Sequence, residues 1–332
     1  MSINVCFIKS NKNRLVEKSW CSRSGSKSDF TSRIIALGNF DGLHLGHQKL
    51  FNKVIEYSKV TEEGQASTAA IISFYPHPRY VLSKSTETKS KFEKLISPLR
   101  TRISKLNDFG IDELFAVRFS KSLAAFKPNE FIEKVILPLN PRMIIVGEDW
   151  CFGKNREGDV NTLIDFGKLH GFNVEVVSLR KSPDNNTKIG SSQVRKLIDE
   201  GEVSELSKLL GSPFSIYGKV IKGDGRGRKI GFPTVNIHNA RQKYPANGVY
   251  ATSIIIDGKP YKSISNVGIR PTFKPKSEKV HLETHIFDFD KDLYGKYVEV
   301  CFEERVRGEM AFSSVEELLA QIVSDIKHVK SL

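Results

Sequence analysis

Cysteine is scarce and scattered: Cys6, Cys21, Cys151 and Cys301 make no C-x-x-C pair and no ladder of spacings. A zinc ribbon and a disulfide framework are therefore not expected, and a reducing cytoplasm is the compartment such a chain suits. Long apolar runs are missing too. Residues 5–8 fall far short of a signal-peptide core, and nothing approaches the roughly 18 apolar residues of a membrane span, so neither secretion nor a bilayer is expected. Repeats of solenoid length are absent, and the lysine- and serine-rich residues 83–94 read as a solvated loop or helix start. Acidic side chains are the minority charge, 38 against 51 basic, and the resulting +13 favours anionic partners: nucleotides, nucleic acid or a membrane surface.

What is present divides in two. At 332 residues the chain exceeds one ordinary core and suits two domains. Residues 1–33 carry seven basic and two acidic side chains, and Ser22, Ser24, Ser26 and Ser28 interrupt any apolar period, which reads as a basic N-terminal tail. From residue 34, short unbroken apolar runs at 34–37, 69–74, 114–117, 143–146 and 174–177 alternate with helical patterns at 50–55, 95–106, 131–136 and 163–169. Continuous apolar strands belong to a parallel sheet covered on both faces, so residues 34–212 are expected to form a Rossmann-like α/β domain. After about residue 213, period-two segments take over. The clearest hairpin runs along 249–256, turns at Asp257-Gly258 and returns along 261–267. Ser314 with Glu317 forms a capping box ahead of an apolar stripe of Val315, Leu318, Leu319 and Ile322. About six strands and one closing helix predict a small β-barrel over residues 213–332, joined near Gly211-Ser212-Pro213.

The first predicted strand runs into Gly38-Asn39-Phe40-Asp41-Gly42-Leu43-His44-Leu45-Gly46-His47, after which a helix begins. At the carboxyl end of a parallel strand, a glycine turn lets backbone N–H groups approach phosphate, and the following helix adds its positive end. His44 and His47 can face that phosphate as hydrogen-bond donors and stabilise charge growing on a transferred group. Metal ligation is the competing use of two such imidazoles, but no third ligand stands nearby.

This H-x-G-H string resembles the nucleotidylyltransferase superfamily, and the longer G-N-F-D-G-L-H-L-G-H string is similar to its FAD synthetase branch. Three further stretches match that branch in order. Ser73-Phe74-Tyr75-Pro76-His77-Pro78 carries serine for the usual threonine, keeping the hydroxyl. Gly147-Glu148-Asp149-Trp150-Cys151-Phe152-Gly153, with Arg156 and Gly158, carries Trp150 where phenylalanine is usual. In Ile189-Gly190-Ser191-Ser192-Gln193-Val194-Arg195, Gly190 replaces the first serine. The resemblance implies ATP binding by Gly38, Phe40, Asp41, His44, His47, Ser191, Ser192 and Arg195, and flavin binding by Phe74, His77 and Asp149. Ser192 and Arg195 would hold the leaving pyrophosphate with Mg²⁺. The implied reaction joins FMN to AMP from ATP, giving FAD. Its nucleophile is already an anion, so positioning and charge neutralisation suffice without a base.

The second half opens with Gly218-Lys219-Val220, then Gly223-Asp224-Gly225-Arg226-Gly227-Arg228 and Ile230-Gly231-Phe232-Pro233-Thr234-Val235-Asn236. This is no P-loop, because the spacing to Gly-Lys-Ser/Thr is wrong. With Asn247-Gly248-Val249-Tyr250 and Asn266-Val267-Gly268-Ile269-Arg270-Pro271-Thr272, it resembles riboflavin kinase. The resemblance implies ATP binding by Gly218, Gly223, Gly225, Gly231, Pro233 and Thr234. Thr234 and Asn236 offer Mg²⁺ the oxygen donors it prefers. Phosphorylation of riboflavin to FMN uses a neutral hydroxyl, which gains from a base, and Glu283 in Leu282-Glu283-Thr284-His285 occupies the family's base position. Arg307 matches an arginine beside the flavin, although Arg305 stands close enough to compete for that role. A regulator that binds flavin or RNA on degenerate enzyme domains is the alternative, against which the intact His44, His47, Thr234, Asn236 and Glu283 argue. Another nucleotidylyltransferase substrate would leave the second half without a purpose. Expected partners are small molecules, with neither nucleic acid nor membrane; no residue pattern bears on oligomeric state.

Overall fold

The computed structural model describes residues 3–11, 14–20, 32–60, 66–178, 189–223, 225–269 and 280–332. Two compact units divide the chain, residues 1–189 and 190–332. The serine-rich stretch 22–28, Asp224 and the Arg270-Pro271-Thr272 end of the kinase-like motif lie outside the described residues.

The first unit is built on seven strands: β1 (Asn4–Asn11), β2 (Arg14–Trp20), β3 (Arg33–Leu37), β4 (Thr68–Tyr75), β5 (Glu113–Arg118), β6 (Pro141–Gly147) and β7 (Asn173–Val177). They lie in the order β2-β1-β5-β4-β3-β6-β7, all parallel except the edge strand β2. Each of the five apolar runs became a strand. Alternate residues supply two cores: Ile35, Leu37, Ile72 and Phe74 on one face, Ile34, Ala36 and Ile71 on the other. Both faces are thus covered, the condition that makes such strands uniformly apolar. β3 is the switch strand, with β4 and β5 on one side and β6 and β7 on the other.

The basic tail needs correction. Ile3, Val5 and Ile8 are buried, and β1 pairs in parallel with β5 from Asn4 opposite Glu113 to Ile8 opposite Val117. Its apolar residues are shared between the two faces, Val5 on one and Ile8 on the other, so neither face alone shows a strong signal among the charges. Residues 83–94 contribute the helix Thr86–Glu93, capped by Ser85.

The second unit is a closed six-stranded barrel of β8 (Phe214–Ile221), β9 (Val235–His238), β10 (Gly248–Ile256), β11 (Lys259–Ile269), β12 (Val280–Ile286) and β13 (Tyr297–Arg307), in the order β10-β11-β12-β9-β8-β13. The β10–β11 hairpin turns at Asp257-Gly258, whose φ angles of 49° and 80° are the left-handed pair a two-residue turn requires. Period-two alternation does not guarantee an oily interior. Thr252, Ser263, Ser265 and Thr284 are buried and bond to one another through hydroxyls 2.8–2.9 Å apart. The helices Ser191–Glu200 and Val203–Leu210 group with this unit, docked by Ala246 N–H donating to the Ile198 carbonyl at 3.0 Å and Ser204 Oγ donating to the Glu303 carbonyl at 3.1 Å. The most compact division therefore precedes the expected join at residues 211–213. The closing helix Val315–Ser331 is capped by Ser314, but the Glu317 carboxylate takes Ser313 N–H, not Ser314 N–H. Val315 is 56% exposed, and the packed stripe runs lower, through Leu318, Ile322, Ile326 and Val329.

Candidate active sites

At the switch strand the chain leaves β3 through residues 38–44 and enters the helix Leu45–Ser58. Phe40 and Leu43 hold φ of 49° and 48°, left-handed values costing a non-glycine residue about 1–3 kcal/mol each. Both side chains are buried, which offsets that cost, and Gly38 leaves the Phe40 ring its place: a Cβ at 38 would lie 2.6 Å from it. The loop is therefore pinned by core packing, and a pinned loop holds its imidazoles in fixed positions.

His44 caps the helix, its Nδ1 accepting the His47 backbone N–H at 3.4 Å, which assigns the proton of neutral His44 to Nε2 as a donor. The two imidazoles stack with centroids 3.7 Å apart, and Phe40 meets the His47 ring edge-on at 5.2 Å. Burial lowers the His44 pKa from 6.5 to about 4 against the opposing field of Asp41. Burial first, then the charges of His44 and Arg102, holds His47 well below 6.5. Both are neutral donors near pH 7. Asp41 is buried and accepts Ser97 N–H at 3.0 Å.

Sequence reasoning missed Arg102. It lies on the helix Leu99–Asp108, is 2% exposed, and donates to the Asn39 carbonyl at 2.9 Å and to Ser73 Oγ. Ser73 in turn donates to the same carbonyl at 3.0 Å, so the hydroxyl kept in the serine-for-threonine exchange is in use. A signal existed: Leu99, Arg102, Ile103 and Leu106 share one helical stripe, and an arginine does not belong on an apolar stripe without a reason.

Of the expected flavin residues, Phe74 closes β4 and lies nearly parallel to Trp150 at 6.5 Å and 13°. Asp149 is exposed on the turn after β6, next to Trp150. These two strand ends flank the histidine loop across the sheet edge. His77 instead caps the helix Pro78–Leu82, accepting Arg79 N–H at 3.1 Å, with its ring stacked on Phe92 at 4.6 Å. Ser191 and Ser192 open the helix Ser191–Glu200 of the second unit, in which Arg195 is buried.

In the barrel, Glu283 lies mid-β12 with Asn266 of β11 opposite on one side and Asn236 of β9 on the other. Glu283, Asn266, Thr234, Phe232 and Arg307 line a cleft of about 690 Å³, largely apolar and closed by Leu318, Ile322 and Ile326 of the last helix. A second cleft of about 330 Å³ is lined by Arg228, Asp290, Lys291, Asp292, Thr234 and Thr284, with Pro233 beside them. Thr234 lines both. His285 Nδ1 donates to the Pro233 carbonyl at 2.7 Å, tying the turn before Thr234 to β12. Of the two candidate arginines, Arg307 lines the larger cleft and is held by two bonds of 2.9 Å to Asp325, whereas Arg305 donates to the carbonyls of Glu200 and Asn247.

Gly218, Gly223, Gly225 and Gly231 line neither cleft, while Gly227 lines the larger. Gly218 is needed inside the barrel, because a Cβ there would stand 2.5 Å from Ile237 Cγ2 and 2.9 Å from the His238 carbonyl. Gly223 packs against the Asn236 amide. Among the described residues, no three His, Cys, Asp or Glu side chains gather as a metal site.

Residues 26–193 match the FAD synthetase family and residues 210–332 the riboflavin kinase family. A bifunctional riboflavin kinase/FMN adenylyltransferase from Bacillus subtilis is 36% identical over 90% of this chain and 92% of its own length. One of the same description from Escherichia coli is 33% identical over 88% and 90%. A solved structure described as a macrolide-efflux protein from Streptococcus pneumoniae superposes with a TM-score of 0.81 at 30% identity, covering 91% of this chain and 95% of that one; among the described residues here, no helix is long and apolar enough to cross a membrane. With two matches in order along one chain and relatives aligned nearly end to end, the chain belongs to the bifunctional riboflavin kinase/FMN adenylyltransferase family, an FAD synthetase domain followed by a riboflavin kinase domain.

Proposed function

We propose that each half has its own reacting centre: the histidine loop for making FAD, and the Glu283 cleft for making FMN. In the first, a phosphate oxygen of FMN forms a bond to the α-phosphorus of ATP while the bond to the bridging oxygen breaks and pyrophosphate leaves. His44 and His47 donate to phosphate oxygens as charge builds, and their neutrality in the free site means that they do not depend on a resident counter-ion. Phe74 and Asp149 take the flavin side, and His77 shapes the turn beneath it. The expectation that Gly38, Phe40, Asp41, Ser191, Ser192 and Arg195 serve ATP rests on the sequence motifs.

In the second centre, Glu283 accepts the proton of the riboflavin hydroxyl as its oxygen attacks the γ-phosphorus and ADP leaves. The observation that carries this assignment is Thr234, which lines both the apolar cleft holding Glu283 and the smaller, polar cleft bearing Arg228, Asp290, Lys291 and Asp292. A flavin suits the first of these and a nucleotide the second, so the reacting groups meet where Thr234 stands. Thr234 and Asn236 supply hard oxygen donors, a set that fits Mg²⁺ completed by phosphate and water. When bound, Mg²⁺ would neutralise phosphate charge there. Arg307, fixed by Asp325, orients the flavin side. One family match ends at residue 193 and the other begins at residue 210, which supports a change of activity in that region. Anionic substrates account for the basic surplus without nucleic acid or membrane, as a cytoplasmic enzyme requires.

Single variants test the assignment. Glu283→Gln should abolish most FMN formation from riboflavin and leave FAD formation from added FMN near wild type. His47→Ala should do the reverse, with a loss of about 10² to 10³ in FAD formation, the range for an oxyanion donor. Equal loss of both activities in either variant contradicts separate centres.

A further inference from the structure

Arg102 is 2% exposed, and both of its hydrogen-bond partners, the Asn39 carbonyl and Ser73 Oγ, are neutral. Its Nε has no acceptor among the described residues. No carboxylate stands within ion-pairing distance of it there; Asp41 is the acid whose field reaches it, and Asp41 receives Ser97 N–H. Buried guanidinium groups are ordinarily matched by a bonded carboxylate, because an uncompensated charge in a poorly solvated interior is costly. This one lies beneath the loop that carries His44 and His47, and its field reaches the His47 ring.

We propose that Arg102 is a positioning residue of the adenylyltransferase site: it clamps the histidine loop to the end of β4 and supplies a fixed positive charge whose counter-ion is the phosphate chain of the nucleotide. The proposal rests on assigning the histidine loop to phosphate binding. Two jobs are combined in one side chain. The bonds to Asn39 and Ser73 fix the loop; the charge favours an anion arriving above it. The neutral histidines give the cradle directed donors but no charge, and Arg102 adds a positive charge, offset in part by the field of Asp41, without exposing a cation that water would screen.

The two jobs separate by substitution. Arg102→Lys keeps the charge and loses the planar fork; Arg102→Gln keeps some hydrogen bonding and loses the charge. In the full-length protein, binding of inorganic pyrophosphate is measured by calorimetry, alongside FAD formation from FMN and, as internal control, FMN formation from riboflavin. Arg102→Gln should weaken pyrophosphate binding and slow FAD formation at least tenfold, Arg102→Lys should keep pyrophosphate affinity within about threefold of wild type while slowing FAD formation less than Arg102→Gln does, and riboflavin phosphorylation should be unchanged in both. Wild-type pyrophosphate affinity in Arg102→Gln, or equal losses in the two variants, overturns the charge role. If Arg102→Gln does not fold, the thermal shift given by pyrophosphate decides: Arg102→Lys must retain the wild-type shift, and its loss refutes the inference. Failure of pyrophosphate to bind wild-type protein would instead remove the phosphate assignment of the histidine loop itself.

Discussion

Buried His44 makes the first site sensitive to acid. Its pKa is about 4 in the folded chain and near 6.5 when unfolded, so between these values the unfolded chain binds the extra proton. Stability contributed by neutral His44 is complete above pH 6.5 and lost as pH falls toward 4, by at most about 3 kcal/mol. His47 adds to the loss in the same direction. Urea unfolding of the N-terminal unit at pH 7 and pH 4.5 should show the decline, smaller in His44→Gln; an identical decline in that variant would exclude His44 as its source. The histidine pair was legible because its chemistry is local, two rings in four residues on a turn. Arg102 was not, because Asn39, Ser73 and Arg102 converge only once the loop, a strand and a helix have packed together.

The β10–β11 hairpin and strand β8 show two uses of glycine at the level of elements. Gly258 has φ of 80° and open space around it, so Gly258→Ala pays only for backbone strain, about 1 kcal/mol. Gly218 has ordinary φ but a neighbouring side chain and carbonyl where a Cβ would go, so Gly218→Ala should cost about 1–3 kcal/mol through overpacking. Urea midpoints should rank the two in that order, with the KM for ATP in riboflavin phosphorylation unchanged; a raised KM in Gly218→Ala would return this glycine to the nucleotide site. Strands β3 to β7 and the Asp257-Gly258 hairpin were legible because long apolar runs and a turn dipeptide are strong local signals. β1 was hidden because its few apolar residues are divided between two faces and surrounded by charge, and the apolar stripe of the last helix was placed one turn early because Val315, beside the cap, is exposed.

For the whole molecule, the two proposed centres rely on different reacting groups, His44 and His47 in the first unit and Glu283 in the second, so neither half-reaction needs the other's reacting groups. The order of the halves was readable from motifs; the division point was not, since the two helices after residue 190 carry a first-half motif yet pack with the barrel. The most direct test mixes two crippled proteins. Full-length His47→Ala and Glu283→Gln are incubated with riboflavin, ATP and Mg²⁺, separately and together, and the flavins are separated. The account predicts FMN with little FAD from the first, little product from the second, and FAD in quantity only from the mixture; a mixture that yields no more FAD than either variant alone, or wild-type FAD formation from riboflavin by Glu283→Gln by itself, would contradict it.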